Sequence, residues 1–124
     1  MTAPNLMSGN SAYGQTTATQ LIGTALTTIV SNAIGSNSVY KINTLNIANN
    51  TTTAIQCTVN YNTGAAGGGT NLPLINAGIV PAYGTLTVID RGTQYYLAEG
   101  SSITASLTAT NNWAVISTSF EVIS

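Results

Sequence analysis

In the stretch AIQCTVNY, residues 54–61, Ile55, Cys57, Val59 and Tyr61 alternate with Gln56, Thr58 and Asn60. Successive side chains of an extended chain point to opposite faces, so this pattern demands a strand with one face buried and the other wet. A helix would scatter the same residues around its circumference. SITASLTA, residues 102–109, repeats the alternation with Ile103, Ala105, Leu107 and Ala109. WAVISTSFEVIS, residues 113–124, sets Ala114, Ile116, Thr118, Phe120 and Val122 on one face, and TNN at 110–112 is a short hairpin connection by composition. Cys57, Val59, Ile103, Leu107, Ile116 and Phe120 are therefore the expected core.

The same β-branched and aromatic vocabulary, punctuated by Gly, Asn and Ser, predicts strands near 26–31, 39–48, 84–90 and 94–98. Within 39–48 the apolar phase moves from Tyr40 and Ile42 to Leu45 and Ile47, which predicts a bulge or bend near Asn43–Thr44. Residues 20–34 also fit an amphipathic helix through Leu21, Ala25, Thr28 and Ile29. Gly23 and the β-branched Ile22, Thr24, Thr27 and Thr28 favour a pair of strands instead. About seven short strands at roughly ten-residue spacing predict an all-β antiparallel sandwich, jelly-roll-like, in one domain over 17–124. The chain has no fixed repeat of the kind a β-solenoid needs. Residues 1–16 are polar, proline-marked and without period, and are expected to be an extended N-terminal arm outside the core. NTGAAGGGTN, residues 62–71, is expected to be a mobile surface loop or a subunit contact.

Charge narrows the function. Five residues carry it, Lys41, Arg91, Asp90, Glu99 and Glu121, and 21 threonines, 14 asparagines and 11 serines supply the polarity instead. One Lys and one Arg cannot neutralise a run of phosphates, which argues against nucleic acid and against an anionic membrane surface. No apolar run reaches the length of a membrane span, and the N-terminus has neither a basic start nor an apolar stretch of the secretory kind. The single cysteine forms no internal disulfide and fits synthesis in a reducing cytoplasm.

Each chemical reading of the motifs has a structural competitor. The glycine-rich loop lacks the lysine and helix start of a phosphate cradle. Cys57 has no histidine to activate it and sits at an inward strand position. Carboxylate catalysis needs two acids at a set separation. Here Asp90–Arg91–Gly92 and Glu99–Gly100 read as turns closed by backbone hydrogen bonds. The three acids lack the spacing of a calcium loop, the formal glycosylation acceptors Asn49 and Asn50 have no secretory context, and the threonine clusters lack the regular spacing of an ice-binding face. Catalytic, metal and cofactor residues are thus expected to be none, and the chain is read as not an enzyme. Tyr13, Tyr83, Tyr95, Tyr96 and Trp113 offer stacking faces for a carbohydrate, with packing in the core or at strand ends as the preferred role of Tyr96 and Trp113.

YLAEGSSITASLTA followed by NNWAVISTSFEVIS, together with MTAPNLM and VYKINTLNIAN…CTVNYN, resembles small virion structural proteins of tailed bacteriophages, especially those of marine cyanophages. The resemblance implies a β-sandwich made in the host cytoplasm, located in the virion and oligomeric there, with no catalytic signature to transfer. It makes a capsid decoration (cement) protein the expected function, with neck, tail or fibre component, or a host-surface binding module, as the alternatives. The expected partners are the major capsid protein or other virion proteins, and further copies of the chain. A trimer is favoured because icosahedral shells offer three-fold positions. Leu6, Met7 and Tyr13 are the large apolar groups of the arm and are expected to dock on a neighbour.

Overall fold

The computed structural model describes residues 12–90, 92–109 and 113–124. The strands are β1 (Ala12–Ile22), β2 (Thr27–Asn32), β3 (Val39–Ala48), β4 (Ile55–Asn62), β5 (Asn71–Val80), β6 (Thr85–Ile89), β7 (Tyr95–Leu97), β8 (Ser101–Leu107) and β9 (Trp113–Ile123), with one short 3-10 turn at Ala65–Gly67. They form two sheets in which every pairing is antiparallel. One has the order β1-β9-β3-β6, with β7 also on β3; the other has the order β2-β8-β4-β5.

The pairings have a simple origin. β1 with β9, β2 with β8, β3 with β6 and β7, and β4 with β5 are the rungs of one long antiparallel ribbon whose hinge is the β4–β5 connection. Rolling that ribbon brings β9 against β3 and β8 against β4, closing it into two sheets. This is the jelly roll, in which the chain crosses between the sheets at every connection except β4–β5 and β6–β7 while each strand buries one face. The six residues expected in the core are all buried, Phe120 at 4% exposure and the others at 2% or less. Along β9 burial alternates residue by residue, with Ala114, Ile116, Thr118, Phe120 and Val122 inward. Tyr40 stacks on Phe120 with ring centroids 5.3 Å apart.

The register between β3 and β9 shifts between Ile42 and Thr44, where the phase slip predicts it. Residues 20–34 are indeed strand–turn–strand. One expectation is corrected. Residues 12–16 of the expected arm are paired along β9, from Ala12 opposite Ile123 to Thr16 opposite Ser119, so the folded unit starts by Ala12; residues 1–11, with Leu6 and Met7, lie outside the described residues, as do 110–112. The loop between β4 and β5 lies over β2 and β8 and is tied to both by hydrogen bonds. Gly64 N–H donates to Gly68 O (3.0 Å) and Gly68 N–H to Ala65 O (3.0 Å), while Ala66 N–H donates to Ser31 Oγ (2.8 Å) and Gly67 N–H to Ser102 Oγ (2.9 Å). Gly67 has φ +79°, and a Cβ there would lie 3.1 Å from Thr28 Oγ1 and 3.2 Å from Thr104 Cγ2. Only glycine lets the turn lie this close on β2 and β8.

Candidate assembly surface

With so few charges, the interior polar groups are amides and hydroxyls apart from the carboxylate of Glu99. Asn32, fully buried at the end of β2, donates from Nδ2 to Ser38 O and Leu97 O, both at 2.9 Å, and accepts from Ser36 Oγ at 2.5 Å. Asn49, at the other end of the sandwich, donates to Thr53 O (2.8 Å), Val80 O (3.2 Å) and Pro81 O (3.1 Å), and its Oδ1 accepts from Thr51 N–H (2.9 Å). Asn62 accepts from Thr104 Oγ1 (2.7 Å) and bonds Asn71 Oδ1. Asn32 and Asn49 each bridge elements that share no ladder, satisfying buried backbone groups that would otherwise be costly, while Asn62 ties side chains of the strands on either side of β4. Asn49 is thereby committed inside the fold.

The carboxylates are dispersed. Asp90 Oδ1 accepts from Gly92 N–H (2.8 Å) and Thr93 Oγ1 (3.2 Å), closing the expected turn. Glu99 is buried, at 7% exposure, and its Oε2 accepts from Asn37 N–H (2.8 Å), which pins the β2–β3 connection; Gly100 follows at φ +78°. Glu121 accepts from Asn43 Nδ2 (3.2 Å) on the outer side of the first sheet. Among the described residues no three His, Cys, Asp or Glu side chains come together in a way that would hold a metal. Cys57 has no exposed surface, and burial pushes its thiol up to about 11.

The aromatics do not share a platform. Tyr13 starts β1 opposite Val122, Trp113 starts β9 opposite Ile22 at the far end of the same pairing, and Tyr83 lies in the β5–β6 turn beside Thr51. Tyr95 and Tyr96 are on β7 against β3. Tyr96 is 52% exposed and Trp113 36%, so neither packs into the core; each lies on the solvent side of its strand, opposite Lys41 and Ile22 respectively.

What remains as a contact feature is backbone. A sandwich has four edges, each a row of unpaired N–H and C=O groups that invites another strand. β5 is interrupted by Pro73, which has no N–H, and by register shifts on either side of Val59, with Ala77 at φ 53°. The edge opposite β1 is split between β6 and β7 by the Asp90 turn. β2 has six residues and a register shift between Thr28 and Val30. β1 differs. Its eleven residues, AYGQTTATQLI, pair with β9 from Ala12 to Ile22 without a shift and carry no charge and no proline. Its inward side chains run from Leu21, fully buried, through half-buried Thr19 and Thr17 to exposed Gln15 and Tyr13, the last at 59%.

The fold is similar to that of a solved structure. That structure is a Bacillus endospore appendage protein, described among a novel family of disulfide-linked pili, and matches at a TM-score of 0.57 with 10% identity over 99% of this chain and 97% of that one. No protein-family model matches the chain, and no curated protein does.

Proposed function

We propose that the chain is a non-enzymatic structural protein that works by assembly, and that it is a component of a tailed-phage particle, most specifically a capsid decoration protein bound to the major capsid protein. The observation that carries the assembly reading is the β1 edge: about 36 Å of regular, charge-free strand whose outer side pairs with no described residue. The jelly roll shared with a pilus protein supports a structural role, and the phage assignment rests on the resemblance of YLAEGSSITASLTA and NNWAVISTSFEVIS. Cross-linking through disulfides, as in the pili, does not suit this chain, whose single cysteine is fully buried. Its contacts are non-covalent, and many copies on a symmetric surface gain avidity from modest individual affinities.

The test is occupancy. Purified protein added to particles lacking it is expected to bind to saturation at a fixed number of copies per particle, visible as ordered density on the shell. Absence of binding to capsid, neck or tail would refute the virion reading.

A further inference from the structure

We propose that β1 pairs edge to edge with β1 of a second copy, antiparallel about a two-fold axis, joining the two five-stranded sheets into one continuous sheet. This deepens the assembly reading above and rests on it.

The choice of partner follows from the other edges. A strand added to β1 needs eleven extended residues to satisfy the whole row. β2 is six residues long, β5 is broken by Pro73 and a bulge, and the β6/β7 edge is split by a turn. Within this chain, the edge that matches β1 in length and regularity is β1 itself. Its lack of charge means that self-pairing sets no like charges against each other.

Thr17 selects the register. Its Oγ1 is buried and has no hydrogen-bond partner among the described residues, an uncommon state for a hydroxyl on an edge strand. A two-fold axis through Thr17 sets it opposite the partner's Thr17, and a χ1 rotation that brings each hydroxyl to the strand edge makes a cross-strand pair in which each can both donate and accept. The same register sets Gln15 opposite the partner's Thr19 and Thr16 opposite the partner's Ala18. All pairs join residues of equal parity, so inward faces meet inward faces and both second sheets lie on one side. Such a contact is isologous and closes at two copies, unlike the three-fold arrangement the virion resemblance suggests.

Thr16 and Ala18 are exposed, outward-facing residues, so substitution there tests pairing without touching the core. Light scattering across a wide concentration range is expected to give a dimer for the unmodified chain. Thr16→Lys with Ala18→Lys sets two lysine pairs across the axis and is expected to weaken the dimer on the order of tenfold or more, with the melting temperature unchanged at concentrations where both proteins are monomeric. Thr16→Glu with Ala18→Lys sets complementary pairs and is expected to restore it. Thr17→Cys is expected to cross-link on oxidation, while Ala12→Cys is not, because Ala12 faces the partner's Ile22. A monomeric unmodified chain, or a dimer indifferent to the double lysine, overturns the pairing. Particle loading measured in parallel separates the two claims. A dimer that never loads refutes the virion reading and leaves the pairing standing; a monomer that loads to full occupancy does the reverse.

Discussion

Asn32 is the place to test whether buried amides hold this sandwich in the way ion pairs hold others. Its two N–H groups reach the carbonyls of Ser38, just before β3, and Leu97, at the end of β7, each at 2.9 Å, and both of those residues are buried. Leaving a buried carbonyl without its donor costs roughly 1–3 kcal/mol, so Asn32→Ala is expected to lose about 2–5 kcal/mol. That is a large share of the roughly 5–15 kcal/mol available to a domain. For a chain of this size it corresponds to a fall in Tm of roughly 10–20 °C. Asn32→Asp keeps the volume but turns a donor into an acceptor facing two carbonyls, and is expected to lose at least as much at neutral pH. The assay is urea unfolding with the slope checked for constancy, and Asn50→Ala, an exposed asparagine, is the control. A loss below about 1 kcal/mol for the aspartate variant would mean that water or a shifted turn satisfies those carbonyls, and the bridging argument would fail.

Two other outcomes follow from the core. Phe120→Ala removes a side chain that is 4% exposed and stacked on Tyr40, and is expected to cost about 3–5 kcal/mol in the same assay; a midpoint that barely moves would contradict the inward facing of β9. Burial raises the Cys57 thiol from 9.0 to about 11, so folding favours the protonated form. Its contribution is fully present below about pH 9 and is lost as pH rises toward 11, so the stability advantage of the unmodified chain over Cys57→Ala is expected to shrink across that window. An advantage constant from pH 8 to 11 would show that the thiol is not desolvated as described.

Alternation made β3, β4 and β6 to β9 readable in the sequence, because each buries one face on a shared core. The bulge near Asn43 was readable as a phase slip for the same reason. β5 escaped because Pro73, Gly78 and its register shifts erase the period, and an edge strand tolerates them. β1 escaped for a different reason. Its first nine residues are small or polar apart from Tyr13, and with one neighbouring strand and little cover it has no need of an apolar face there, so it reads as a tail. The asparagine bridges gave no signal at all. Asparagine is turn vocabulary, and only the three-dimensional arrangement of three chain segments around Asn32 or Asn49 reveals a buried role.

Edge protection makes the β1 assignment more than a remark about exposure. Sheet proteins commonly guard their edges with lysine, and this chain has a single lysine, placed on β3 inside the first sheet. It nevertheless blunts three edges by backbone means alone: a proline with a bulge on β5, a turn that divides β6 from β7, and a short, shifted β2. These devices need only proline, glycine and a turn-forming aspartate. β1 even contains Gly14, a residue at which a bulge could form, yet its pairing passes through Gly14 opposite Glu121 without a shift. An edge left straight over eleven residues, in a fold that interrupts every other edge, has the geometry of a surface kept for another strand. Its lack of charge makes a copy of itself an acceptable one.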